Sequence, residues 1–423
     1  MASRCNVAQN QVWVAVFLAA TLYAYEYAQM SLYNSLYVPL LRNFMLGEQA
    51  MALLSMSYHT GMLVMYPWVG YWIDRQGPRN ILLFSTFGLI AMLKLLVIAP
   101  SYEWLLLSRF SMGAFASFTY ISCLVWTRAW CTQESMPKAT GLICAFGSIG
   151  GMISQVVGSW YISFSTWRET LSWGVLFGIV LLLVTASWML RNNPDAKQVP
   201  TEKKEGDKGV FLHSLIGVLC EKRAWFCAFT ASCLYVTNTL LGAIYGKPYL
   251  IHLKGLTPDH AAMVCAALYI GVLLGSLIWP AVLSLVGGEK RALAIGASGT
   301  LGMLILTAYS QTLFFLGLAF GLVGFFSSAK LMIFSYVSKT HGQLSLATYK
   351  SFVCFGMILS ATISPAISFI LAEISNTMGS SVQSVDVVLP LLLFYNIICM
   401  YSIYRLHHEH RDVVQIQNRY AEV

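Results

Sequence analysis

Glu26 is a carboxylate set inside a long apolar run. Counted at about 1.5 Å per residue from Val12, it lies roughly 21 Å into a helix. A carboxylate at that depth costs several kcal/mol unless it is paired, hydrated or protonated. Its helical neighbours are Tyr23, Tyr27, Met30 and Tyr33, a stripe suited to a wet, aromatic cavity. Two chemistries fit: a proton-coupling site, or a counter-ion for a substrate ammonium. The alternative is a static ion pair holding that helix to a neighbour.

Arg109 lies six residues into a later apolar run that enters from the opposite side, roughly 9 Å from its end. Against a hydrocarbon core of about 30 Å, its depth matches that of Glu26, so a charge-assisted pair is possible, with a role in coupling or in packing. Lys330, Lys247 and Lys350 also sit in apolar runs, and each can attract an anionic group or snorkel to the nearest interface, as can Lys94. The intramembrane sum is one negative charge against five positive. That favours a substrate with a carboxylate or phosphate, and Glu26 leaves room for an amine. Asn238 is a candidate hydrogen-bonding partner for substrate, and Tyr120 a candidate cavity wall. His59 is expected to pack between helices, and the tail histidines His407, His408 and His410 to be solvated rather than to hold a metal. No G-x-x-x-x-G-K-[ST] loop, nucleophile–base set or metal-ligand spacing is present, so no cofactor, no direct use of ATP and no enzyme activity is expected.

These residues must be positioned by membrane helices. Of the 423 residues, 57% are hydrophobic and 10% charged, against about 25% charged in soluble domains. Apolar runs of about 20 residues recur throughout, and in lipid only a helix satisfies every backbone group. Twelve spans are expected, near 12–38, 48–71, 81–99, 103–126, 139–162, 170–190, 224–249, 259–285, 291–309, 312–337, 345–372 and 387–404. No cleavable leader is expected, because the first span is too long for a signal h-region. Lys and Arg concentrate in alternate loops, which places both termini and segment 191–223 in the cytoplasm and accounts for the net charge of +8 without nucleic acid. The ten cysteines are scattered and read as packing residues. The polar stretch 191–223 reads as a linker between six-helix bundles at 1–190 and 224–405, with a tail at 406–423. The halves repeat weakly: Gly61 matches Gly271 and Gly77 matches Gly287 at offset 210, Gly113 matches Gly321 at 208, and Phe146-Gly147 matches Phe355-Gly356 at 209. The charges do not repeat, since Asp74 and Arg75 map to Ser284 and Leu285, and Arg109 to Gly317.

Between the second and third spans, Gly70-Tyr71-Trp72-Ile73-Asp74-Arg75-Gln76-Gly77-Pro78-Arg79 resembles the loop between helices 2 and 3 of the major facilitator superfamily of transporters. Arg109-x-x-x-Gly113, the glycine-rich fifth span (Gly141, Gly147, Gly150, Gly151, Gly158) and Trp167-Arg168 are similar to further features of that family. The resemblance covers the whole chain and implies an all-α polytopic fold of two pseudo-symmetric six-helix bundles around a central site, working by alternating access. It implies that Gly70, Asp74, Arg75, Gly77 and Arg79 form a conformational latch on the cytoplasmic side. The fifth span lacks the proline expected of drug/proton antiporters. Tyr23-Ala24-Tyr25-Glu26-Tyr27, and Tyr245-Gly246-Lys247-Pro248-Tyr249-Leu250 with Gly255-Leu256, resemble a bacterial nutrient-permease branch of intracellular pathogens. That implies uptake of amino acids, small peptides or nucleosides across the inner membrane. The leading expectation is proton-coupled uptake of a small polar nutrient by a monomer in the lipid bilayer, with Glu26 and Arg109 coupling protons. Tyr23, Glu26, Tyr27, Met30, Tyr120, Asn238, Lys247, Lys330 and Lys350 are the expected substrate contacts. The alternatives are proton-driven efflux of a siderophore or drug, and a non-transporting sensor that has kept the fold.

Overall fold

The structure, a computed structural model, describes residues 9–132, 135–192, 217–340, 346–377 and 383–421. Most of the expected linker, the Asp74 side chain and the side chains of His407, His408 and His410 lie outside the described residues. The chain divides into two compact units, Met1–Asp207 and Lys208–Val423.

The first unit contains α1 (Gln9–Asn43), α2 (Glu48–Gln76), α3 (Pro78–Val97), α4 (Tyr102–Trp130), α5 (Met136–Ile162) and α6 (Trp167–Arg191). Local chemistry sets the boundaries. Thr166 and Glu169 form a capping box that opens α6, satisfying two amides the helix leaves unpaired. Arg168 reaches back to the carbonyls of Val97 (3.2 Å) and Ala99 (3.1 Å), closing the C-terminal end of α3. Pro78 starts α3 directly after Gly77, which has φ +83° and ψ 147°, a region open to glycine almost alone. Gly77→Ala is therefore expected to lower the melting temperature of the purified protein, at a cost of about 1–3 kcal/mol. Gly47→Ala should leave it unchanged. Both glycines have open space around them, but Gly47 has φ −83°.

The second unit begins with α7, which runs Lys222–Thr239, passes through a π turn at Leu240–Ile244 and resumes as Gly246–His252. It continues with α8 (Pro258–Val286) and α9 (Glu289–Tyr309). Helix α10 runs Leu313–Ser327, tightens to a 3-10 turn at Ser328–Lys330 and ends as Leu331–Thr340. Helices α11 (Leu346–Thr377) and α12 (Ser384–Ala421) complete it.

Ten of the described helices are long and apolar enough to cross a membrane. Helices α1 and α2 are longer than most but more polar. They carry Glu26, Gln29 and several tyrosines on α1, and Ser57-Tyr58-His59-Thr60 on α2. The residues that dilute their hydropathy are those of the candidate site.

Within each unit the same helix pairs pack. These are α1 with α5, α2 with α4, and α3 with α4 and α6, then α7 with α11, α8 with α10, and α9 with α10 and α12. The close approaches repeat in detail. A Cβ on Gly61 would overlap the Phe110 carbonyl, and one on Gly113 the Tyr58 carbonyl. In the second unit, Gly271 stands in this way against Gly321 and Gly324 against Leu268. This corrects the sequence alignment of the halves. The offset is 210 between α2 and α8, but 211 between α4 and α10. The counterpart of Gly113 is Gly324, and that of Arg109 is Phe320 rather than Gly317.

Candidate substrate and coupling site

Glu26 is 3% exposed and Arg109 4% exposed in the interior of the first unit. They do not form the direct pair that equal depth suggested, because Tyr58 of α2 stands between them. Its hydroxyl donates to Glu26 Oε1 at 2.7 Å, and its ring lies 4.7 Å from the Arg109 guanidinium carbon. Tyr33 of α1 takes another side of the guanidinium at 5.0 Å, and Nη1 donates to the Gln29 carbonyl at 3.3 Å. Arg109 has no acidic partner among the described residues; its charge rests on two ring faces and one carbonyl. The bond from Tyr58 is the one hydrogen bond that Glu26 makes among the described residues. Oε2 carries no hydrogen bond among the described residues.

His59 follows Tyr58 and packs between helices as expected, its Nδ1 3.4 Å from the Ser55 carbonyl. Its Nε2, Arg109 Nε and the Gln29 side-chain oxygen are buried with no hydrogen-bond partner. Three such atoms so near one guanidinium mark a polar interior.

Tyr58 is the residue that sequence reasoning missed. Its signal is the Arg-x-x-x-Gly spacing. Gly113 lets the α2 backbone come into contact at Tyr58, one helical turn from Arg109. The second unit makes the same helix contact with Leu268 and Phe320, both fully buried in its apolar core. The approach of α4 to α2 therefore does not need a guanidinium.

Tyr23 and Tyr27 on α1 and Tyr120 on α4 are half-buried, and Met30 is buried. The Tyr23 ring lies 5.8 Å from Tyr27 and 5.0 Å from Tyr120, centroid to centroid.

In the second unit, Asn238 precedes the π turn and its Oδ1 accepts from Ser327 at 2.6 Å. Ser327 precedes the 3-10 turn that holds Lys330, whose ammonium lies 6.0 Å from the Tyr235 ring centre. Both helices thus leave regular geometry beside one cluster, a pattern frequent at functional sites. Tyr235 and Ser327 join Asn238 and Lys330 there. Lys247 and Lys350 do not converge with them. Lys247 lies past the π turn near the end of α7, while Lys350 lies in the opening turns of α11. Lys94 is exposed on α3, in position to snorkel.

The turn between α2 and α3 has its arginines on the surface with local partners. Arg75 donates to the Tyr71 hydroxyl at 2.7 Å, and Arg79 to Asn80 at 3.2 Å. Gly70 is half-buried. The second unit's turn, with Gly287 at φ +86°, does carry charge, at Glu289 and Lys290, five residues beyond Ser284 and Leu285. Glu289 accepts from Ser335 at 3.1 Å, and Lys290 donates to the Leu406 carbonyl at 3.1 Å, tying α9 to α10 and α12.

The sequence profile of the Major Facilitator Superfamily matches residues 19–249. The crystal structure of a bacterial homolog to the human lysosomal transporter Spinster, in an inward-facing and unoccupied conformation, is similar in fold. Its TM-score is 0.60 at 14% sequence identity, over 94% of this chain and 94% of that one. No curated protein matches the sequence.

Proposed function

The chain belongs to the major facilitator superfamily, and from that premise we propose that it couples the uptake of a small polar nutrient to protons through Glu26. Membership makes it a multi-pass secondary transporter with two six-helix bundles. The proposal extends to coupling ion, direction and cargo. We place it in a bacterial inner membrane with cytoplasmic termini, as the distribution of Lys and Arg indicates.

One observation carries the reading. Glu26 is buried yet held by a single neutral donor, with Arg109 screened from it by the Tyr58 ring. A carboxylate locked in a salt bridge stays ionised throughout a transport cycle. This one can lose and regain a proton without breaking a buried ion pair, a rupture that costs about 3–5 kcal/mol. The second unit supports the same conclusion. Leu268 and Phe320 serve its helix contact, so the charged version in the first unit answers to function rather than to folding.

In the second unit, Lys330 with Asn238 offers a partner for an anionic group of the solute. An amino acid, small peptide or organic anion fits best. In the turn between α2 and α3, Arg75 and Arg79 are free to swing from their local partners to new ones as the cytoplasmic side closes, which suits a latch.

A thermal-shift screen of amino acids, peptides, nucleosides and organic acids at two pH values should yield a stabilising solute. In proteoliposomes that solute is expected to accumulate under an acid-outside gradient and to leak back when a protonophore is added. Accumulation indifferent to the protonophore would exclude proton coupling. Absence of counterflow for every solute that binds would exclude transport.

A further inference from the structure

Tyr23 and Tyr27 flank Glu26 along α1, and the Tyr23 ring touches both the Tyr27 ring and that of Tyr120 on α4. The Tyr23 and Tyr27 rings meet at 68°, and Tyr23 and Tyr120 at 39°. The rings are seated firmly. Tyr23 rests on Gly147 of α5, where a Cβ would come within 2.6 Å of the ring, and the Tyr120 hydroxyl lies 3.6 Å from Cys144 Sγ. Met30, one turn beyond Glu26 on α1, is buried and apolar. Tyr58 occupies Glu26 Oε1 and leaves Oε2 with no hydrogen bond among the described residues. The Arg109 guanidinium lies against the Tyr58 ring, and the charge adjoining Tyr23 and Tyr27 in the chain is the Glu26 carboxylate.

We propose that Tyr23, Tyr27, Tyr120 and Glu26 form a cage for an organic ammonium group, making amine-bearing solutes the substrate class. The proposal rests on the reading of Glu26 as a solute-facing residue. Electron-rich ring faces attract a cation once water is removed from around it, and tyrosine serves well because the ring is rigid. The carboxylate selects positive charge, and the rings tolerate methyl groups on nitrogen where a hydrogen-bonding site would reject them. The cage therefore accepts primary to quaternary ammonium, and size alone limits the headgroup.

The test uses the full-length protein in detergent, with no pH gradient, and two probes of one shape: choline, and 3,3-dimethylbutan-1-ol, in which carbon replaces the nitrogen. Isothermal titration is expected to show choline bound at least about tenfold more tightly than the alcohol. Tyr27→Leu and Tyr120→Leu should each weaken choline by roughly three- to tenfold, with Tyr27→Phe and Tyr120→Phe within about twofold of the wild type. Glu26→Gln should weaken choline and leave the alcohol unchanged. Equal affinity for both probes, binding of neither, or leucine variants that melt like the wild type and bind choline unchanged would each overturn the cage. Binding is read at equilibrium and coupling under a gradient, so a failed cage leaves proton coupling standing, and failed coupling leaves the cage standing.

Discussion

Glu26→Gln is expected to abolish gradient-driven accumulation while leaving the protein folded. With one proton per solute, a gradient of two pH units supports about 100-fold accumulation, since each unit is about 1.36 kcal/mol. The variant should bring that ratio close to one. Glutamine keeps the size of the side chain and an oxygen that can still accept from the Tyr58 hydroxyl. The melting temperature should therefore hold, and exchange of solute at equal pH should continue once solute is raised above the weaker affinity expected of the variant. What is lost is the ability to change charge. Tyr58→Phe separates two contributions, because it keeps the ring against Arg109 and removes only the donor to Glu26. It should retain accumulation with an altered pH profile. Scintillation counting of proteoliposomes at matched protein density measures both. A Glu26→Gln variant that still accumulates solute to the wild-type ratio would remove Glu26 from the coupling role.

The sequence made Glu26 and Arg109 visible because ionisable groups in apolar runs stand out on energetic grounds. It also placed them at the same depth, which the rise of a helix fixes. Depth is one coordinate of three. Whether two side chains meet depends on the rotation of each helix, and that is set by contacts between glycines and backbone carbonyls across the bundle. Tyr58 was hidden for the same reason: in membrane helices rich in tyrosine, residue type does not reveal which ring faces a cation. The interruptions at Leu240–Ile244 and Ser328–Lys330 leave no mark on the sequence, because a shift in hydrogen-bond register leaves the apolar pattern intact. The repeat was legible where glycines fix the α2 and α8 contacts, and slipped by three residues at α4 and α10, where Gly321 offered a false match for Gly113. Fold class came from composition and helix length, quantities that survive such errors.

Gly113→Val should be the most damaging substitution to stability in the first unit. A Cβ there would overlap the Tyr58 carbonyl, which belongs to a backbone and cannot rotate aside. The two helices would have to separate along their whole contact, at a cost of at least about 3 kcal/mol, the upper end of overpacking. A fall of at least about 6–12 °C in melting temperature is the expected result in detergent, given about 2–4 °C per kcal/mol for large domains. Gly324→Val makes the same collision with Leu268 in the second unit and should cost as much. The milder alanine variants separate stability from function. Gly113→Ala moves Tyr58 away from Arg109 and should disturb coupling in protein that still folds. Gly324→Ala shifts only Leu268 and Phe320 and should leave the proton requirement intact. Gly317, with nothing within 4 Å of its would-be Cβ, supplies the control: Gly317→Ala should be neutral or slightly stabilising. If Gly113→Val melted with the wild type, the close approach of α2 and α4 would be refuted. The reason for the four-residue spacing between Arg109 and Gly113 would fall with it, because the glycine is what brings the Tyr58 ring against a buried guanidinium whose other partners are the Tyr33 ring and the Gln29 carbonyl.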